Sequence, residues 1–290
     1  MKVHLVDGTY ELFRAYYGVP PHKDREGMEV GACVGLARSL LFLLKDPEVT
    51  HVACAFDQII ESFRNEMFDG YKTSEGIEPA LWAQFGLAEE VCRAIGLVTW
   101  PMIEFEADDA LATAAERFRQ LDSVKQVVIA SPDKDLTQCV EGKRVVSWDR
   151  RRKLFFDQEA VRLKFGVEPE SIPDYLGLVG DTADGIPGIA GWGAKSTAIV
   201  LSEYGHIEAI PESLAQWRVK PRGAQRLVDN LNKDRQAALL YRRLATLRRD
   251  VPLDQELEDL RWLGADRDHM KSLCHRLDEP ELIDRVRRFR

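Results

Sequence analysis

Short apolar runs that break off at a carboxylate set the strongest limit on how this chain can fold. Val3–Val6 stops at Asp7, Val52–Phe56 stops at Asp57, and Val127–Ala130 leads through Ser131 and Pro132 to Asp133 and Asp135. Runs so short and so uniformly apolar read as strands buried on both faces of a parallel sheet. Gly31–Leu44 has apolar residues at helical spacing, Ala88–Ile95 reads as a further helix, and Leu97–Trp100 as a strand. From Asp108, the residues Ala110, Leu111, Ala114, Ala115, Phe118 and Leu121 mark one helical face. Asp108 and Asp109 then fall in its first turn, where the helix dipole favours negative charge. Val145–Trp148 and Leu154–Phe156 read as a hairpin joined by Asp149–Lys153. Alternation of strand and helix predicts an α/β fold, a mostly parallel sheet flanked by helices. Beyond about Val161 the pattern turns helical. The expected division is an α/β core at 1–160 and a helical subdomain at 161–290 packed on it.

Ligands of open α/β sheets bind beyond the carboxyl ends of the strands. Asp7, Asp57, Asp133 and Asp135 belong to that edge. Glu106, Asp108 and Asp109 in Glu-Ala-Asp-Asp, with Asp181 and Asp184 in Gly-Asp-Thr-Ala-Asp-Gly, bring the set to nine. So many carboxylates together would repel one another unless cations lay among them. None of the six His lies in an acidic motif. Such a donor set suits a hard, oxygen-seeking ion such as Mg²⁺ better than zinc. Two such ions roughly 4 Å apart can activate water and stabilise the leaving oxygen of a phosphodiester. One Asp after a strand is an ordinary turn or cap residue, and Asp-x-Asp occurs in many phosphotransfer folds. The joint order carries the specificity.

A net charge of −8 argues at first against a polyanionic partner, but setting the nine acids aside leaves the rest at +1. Residues 218–249 hold ten Lys/Arg against two Asp, and residues 143–153 hold six against Asp149. Such patches suit phosphate binding, although alone they read as solvated faces. The five cysteines (Cys33, Cys54, Cys92, Cys139, Cys274) form no C-x-x-C pair and read as core thiols of a cytoplasmic protein. No apolar run approaches the roughly 20 residues of a membrane span. No coiled-coil signal is visible, so a monomer is expected.

Read in order, the motifs are Val-Asp-Gly-Thr-Tyr…Arg-Ala at 6–15, Ala-Phe-Asp…Ser-Phe-Arg at 55–64, and Tyr-Lys at 71–72. Glu-Ala-Asp-Asp at 106–109, Asp-Lys-Asp-Leu at 133–136 and Leu-Val-Gly-Asp-Thr-Ala-Asp-Gly-Ile-Pro-Gly at 178–188 follow. Asp-Val-Pro-Leu…Leu-Glu-Asp-Leu-Arg-Trp at 250–262 comes last. Together they resemble the bacterial 5′-nuclease family, meaning the 5′→3′ exonuclease domain of DNA polymerase I and the wider flap endonuclease superfamily. No polymerase sequence follows, so a free-standing nuclease is expected.

The resemblance implies a PIN-like nuclease core with a helical arch at about 59–82, and a helix-hairpin-helix in the second domain. Glu106, Asp108, Asp133 and Asp7 would shape a first metal site, with Asp57 and Asp109 beside it. Asp135, Asp181 and Asp184 would shape a second. Asp7, Asp108, Asp133 and Lys72 would serve catalysis, Lys72 by stabilising charge on the scissile phosphate. Tyr71 would stack on an unpaired base. The ions would be Mg²⁺, with Mn²⁺ as a substitute. The stretch Ile186–Leu201 reads as the helix-hairpin-helix, with Gly191, Gly193 and Lys195 meeting a DNA phosphate. Carbonyls of Leu178, Val179, Pro187, Ile189 and Trp192 would hold K⁺. Two departures stand out. Glu75 replaces a basic residue usual three positions after the Lys, within an arch of net charge −3. Gly185 replaces a usual Asn, a change the turn would tolerate.

The implied activity is hydrolysis of DNA at 5′ flaps, nicks, gaps and RNA-primer ends, in primer removal and repair beside a polymerase and a ligase. The acidic arch motivates one rival, a DNA-binding module of the same fold with weak or no catalysis. A phosphotransferase using Asp7 as nucleophile is another. It would need an Asp-x-Asp where Thr9 stands, and it leaves the hairpin unexplained.

Overall fold

The apolar runs fold as strands, and the carboxylates that end them sit at strand-to-helix junctions. The computed structural model describes all of Met1–Arg290. In chain order the elements begin β1 (Lys2–Asp7), α1 (Gly8–Gly18), α2 (Gly31–Leu43), β2 (His51–Asp57), α3 (Phe63–Met67), α4 (Pro79–Trp82) and α5 (Phe85–Ile95). There follow β3 (Val98–Met102), α6 (Ala107–Arg119), β4 (Gln126–Ala130), β5 (Val145–Asp149), β6 (Leu154–Phe156) and α7 (Gln158–Phe165). The chain closes with α8 (Ile172–Val179), α9 (Ala194–Tyr204), α10 (Ala224–Ala245) and α11 (Arg267–Arg276). By contacts it divides into two units. One joins Met1–Ile60, Ser74–Ser131 and Arg249–Arg290; the other joins Glu61–Thr73 and Pro132–Arg248.

In the first unit four strands run parallel in the order β3-β2-β1-β4. Central β1 sets Val6 against Cys54 on one side and Ala130 on the other. Val3, Leu5 and Val6 have no exposed surface, as expected for a strand covered on both faces. The α6 helix packs on β1, β2, β3 and β4, while α1, α2 and α5 pack on one another and α11 joins α5. Ala110, Leu111, Ala114, Ala115 and Phe118 form the buried face of α6. Leu121, expected on that face, lies beyond the helix and is exposed. The helix has stopped, so the 3.6-residue period no longer places it.

The second unit holds the antiparallel pair β5–β6 and the helices α3 and α7 to α10. The α8 helix crosses α10 closely at Gly177, where a Cβ would lie 2.7 Å from Arg242 N. Within Ile186–Leu201 only the second of the two expected helices forms, as α9; the helix before it is α8, and residues 180–193 are loop. Gly180 and Gly188, both at positive φ, let that loop's backbone strands approach too closely for any side chain. Basic residues of α10 also serve packing: Arg235 donates to the Ile207 and Ile210 carbonyls, and Arg242 pairs with Glu208 at 2.5 Å. No helix is long and apolar enough to cross a membrane.

Candidate metal centre

Where β1 gives way to α1, Asp7 caps the helix. Its Oδ1 accepts from Tyr10 N at 2.8 Å and its Oδ2 from Ser131 Oγ at 2.8 Å. Asp57 ends β2; its Oδ1 accepts from Ala107 N at 2.8 Å, while its own N donates to Thr9 Oγ1 at 2.8 Å. Asp57 thereby anchors the first turn of α6. There Asp109 Oδ2 accepts from Glu106 N at 3.0 Å. Glu106 and Asp109 are buried and Asp108 is half-buried in that turn. The five acids of this unit are thus built into strand ends and the caps and first turns of helices, which fixes their oxygens.

Three acids of the second unit converge on one point. Asp135, Asp181 and Asp184 each offer a carboxylate oxygen, all within 4.8 Å of one another. Asp133 is not in this trio; its Oδ1 accepts from Asp135 N at 2.9 Å and so orients it. The Gly180–Gly188 loop presents the other two, closed by Asp181 N to Ile186 O at 2.8 Å and Ile186 N to Asp181 O at 2.7 Å. Asp135 Oδ1 is buried with no hydrogen-bond partner. An orphaned carboxylate oxygen among oxygen-only donors fits a hard divalent ion. Burial pushes the Asp135 carboxyl well above its ordinary pKa, helped by the charges of Asp133, Asp184 and Asp181 and opposed by Lys134.

Two lysines meet the trio. Lys134 pairs with Asp181, and Lys72 Nζ lies 3.3 Å from Asp184 Oδ1. Burial works to lower the Lys134 pKa, but the bond to Asp181 and the charges of Asp135, Asp181 and Asp133 raise it overall. Residues 70–72 are tied to the loop by Lys72 N to Asp184 O at 3.0 Å. Gly185, at φ +73, faces Gly70 so closely that a Cβ would lie 2.1 Å from its carbonyl oxygen. The glycine is therefore required by the neighbouring segment as well as by the turn. Gly185→Ala is expected to lower stability by about 2 kcal/mol or more in urea unfolding, since left-handed strain alone costs roughly 1–3 kcal/mol. Gly185→Asn should lose nearly as much, although Asn tolerates the turn itself; a neutral Asn variant would refute the close-approach account.

Other expected site residues fall as follows. Tyr71 is 4% exposed, in the core of the second unit, with the Lys72 ammonium 5.6 Å from its ring centre. As placed, it backs Lys72 and offers little open face for a base. Gly191, Gly193 and Lys195 are exposed at the start of α9, and Trp192 is anchored beneath them by Nε1 donating to Leu227 O at 3.0 Å. The Leu178 and Ile189 carbonyls already accept from Ile189 N and Trp192 N at 2.8 and 3.0 Å. Arg64, counted in the arch, is 1% exposed and donates to the Leu244 and Thr246 carbonyls at 2.8 and 3.1 Å. Sequence reasoning missed Ser131, Thr9 and Lys134; only Lys134 carried a signal, lying between two site acids.

Residues 2–166 match the family described as 5′-3′ exonuclease, N-terminal resolvase-like domain, and residues 167–268 match 5′-3′ exonuclease, C-terminal SAM fold. A 5′-3′ exonuclease of Aquifex aeolicus is 32% identical over 285 residues, covering 98% of this chain and 94% of the relative. DNA polymerase I of Bacillus caldotenax is 33% identical over 291 residues, 98% of this chain. The chain spans about a third of the length of the polymerase relatives it matches, 32% for that one. In fold it resembles the bacteriophage T5 flap endonuclease solved with DNA and metal ions, with a TM-score of 0.67, 18% identity, and coverage of 98% and 99% of the two chains.

Proposed function

Because the chain belongs to the 5′-3′ exonuclease family, we propose that it is a structure-specific 5′ nuclease that hydrolyses DNA phosphodiesters with divalent metal ions. The observation that carries this reading is the trio Asp135, Asp181 and Asp184, the first two buried and the third half-buried, with its unpartnered Asp135 oxygen. That trio would hold one Mg²⁺ or Mn²⁺. Glu106, Asp108, Asp7 and Asp133, with Asp57 and Asp109 beside them, would hold another. The ions would supply Lewis acidity at the phosphate and a water of lowered pKa. The protein's own part is to fix the carboxylates through caps and tight loops, and to hold Lys72 beside them as a stabiliser of phosphate charge.

Substrates in this reading are 5′ flaps, nicks, gaps and primer ends. Gly191, Gly193 and Lys195 would meet the duplex backbone without reading sequence. The carbonyls of Leu178, Val179, Pro187, Ile189 and Trp192 would hold a K⁺ between protein and phosphate. Work beside a polymerase and a ligase, as a cytoplasmic monomer, completes the proposal. Its test is cleavage of a 5′-flap duplex labelled at its 3′ end, with Mg²⁺, beside Asp133→Asn. Products at the flap junction, absent from the variant, are the expected result. Flap binding without product from the wild type would favour the non-catalytic module that the acidic arch suggests.

A further inference from the structure

The trio of carboxylates in the second unit is met by two ammonium groups already in the chain. Lys134 Nζ is paired with Asp181 Oδ2, and Lys72 Nζ lies 3.3 Å from Asp184 Oδ1. The third member, Asp135, is 6% exposed and keeps a buried oxygen with no hydrogen-bond partner. The oxygens of the trio lie within 4.8 Å of one another, a spread comparable with the roughly 4.2 Å that separates opposite ligands of a Mg²⁺ ion. A single small cation can therefore engage all three. While Lys134 holds an oxygen of Asp181, that oxygen is engaged by a tethered monovalent cation instead.

The Lys134 side chain is 36% exposed, against 5% for Asp181. Its stem has a way out to water, whereas the carboxylate does not. Lys134 also sits between Asp133 and Asp135, at the start of the short turn Asp135–Cys139, so its backbone is fixed by the same segment that presents the ligands.

Building on the proposed metal reading of the trio, we propose that Lys134 is an internal counter-cation that competes with the divalent ion for Asp181. It holds Asp181 in place when no ion is bound, and it must swing to solvent for an ion to enter. Lys134 thereby sets the ion concentration at which the site fills. A site competent for only a fraction of the time binds more weakly by that fraction. Pairing for about nine-tenths of the time would thus weaken the apparent affinity about tenfold. Lys134 is a positioning residue in this scheme and touches no substrate.

The test is a Mn²⁺ titration of the DNA-free protein followed by electron paramagnetic resonance of the free ion. It compares wild type, Lys134→Met, Lys134→Arg and Asp181→Asn. Lys134→Met is expected to bind Mn²⁺ about tenfold more tightly, and Lys134→Arg to bind like the wild type. The metal-free melting temperature of Lys134→Met should be below that of the wild type, with the gap closing in saturating Mn²⁺. A lysine that merely supports the fold would weaken Mn²⁺ binding when removed. Unchanged or weaker binding by Lys134→Met would therefore overturn the competition while leaving the metal site standing. If Asp181→Asn matches the wild type in both number and affinity of ions, the metal reading itself fails and the competition with it. Should Lys134→Met not fold, Lys134→Gln carries the same comparison.

Discussion

Asp135→Asn should lower Mg²⁺-supported cleavage of a 5′-flap duplex by about 10³-fold or more, and the same variant should melt at a higher temperature than the wild type when no metal is present. The first effect follows, on the proposed metal reading, from losing a charged ligand. A rate loss of that size corresponds to about 4 kcal/mol of transition-state stabilisation, within reach of one metal ligand. The second follows from burial. Asp135 is 6% exposed and faces the charges of Asp133, Asp184 and Asp181, so its folded pKa lies well above the ordinary 3.8. Its stability contribution is full below the unfolded value and is lost as pH rises through the raised folded one. At neutral pH without metal, the charged carboxylate is therefore destabilising. An Asn there is neutral at every pH, and its amide can donate to the neighbouring carboxylates. Each kcal/mol recovered should raise the melting point by roughly 2–4 °C. Melting curves from pH 5 to 8 in chelator, then in Mg²⁺, decide it. A variant less stable than the wild type in chelator would mean that Asp135 is held by something other than the ion proposed here.

That opposition between stability and chemistry explains which parts of the molecule were legible beforehand. The strands β1, β2 and β4 are near-continuous apolar runs, and burial on both faces leaves no other reading. The face of α6 followed from its period. The acids were legible as a set because they break local rules, placing like charges together where an uncharged cap would serve a fold equally well. What could not be read is the pairing of long side chains. Nothing local tells a lysine between two aspartates to turn toward Asp181, 47 positions later. Arg64 gave the same difficulty, since its guanidinium ends on backbone carbonyls of Leu244 and Thr246. A charge in an expected arch was thus a buried clamp. The return of residues 249–290 to the first unit is likewise long-range. Trp262 N reaches Thr50 O at 2.8 Å, and Arg117 donates to the carbonyls of Leu253 and Gln255 at 2.9 and 3.1 Å.

Lys72→Met carries the second large effect, a fall in kcat of about 10² to 10³-fold with KM changed little. The magnitude is that of removing one preorganised donor from developing charge, about 2.7–4 kcal/mol. Preorganisation is visible on both sides of the residue. Its N donates to Asp184 O at 3.0 Å, its O accepts from Asn65 Nδ2 at 3.0 Å, and its ammonium lies 5.6 Å from the Tyr71 ring centre. The pairing with Asp184, at 3.3 Å and with side-chain exposures of 26% and 17%, must loosen for the charge to reach a phosphate. Lys72→Arg keeps the charge but not the compact point geometry, so it should recover part of the loss. Single-turnover cleavage of the flap separates the two roles. A loss confined to KM would make Lys72 a tether for the strand, since an interaction equal in ground and transition states leaves kcat unchanged. A loss in kcat that Arg partly restores would place its ammonium on the reacting phosphate, beside the trio of carboxylates.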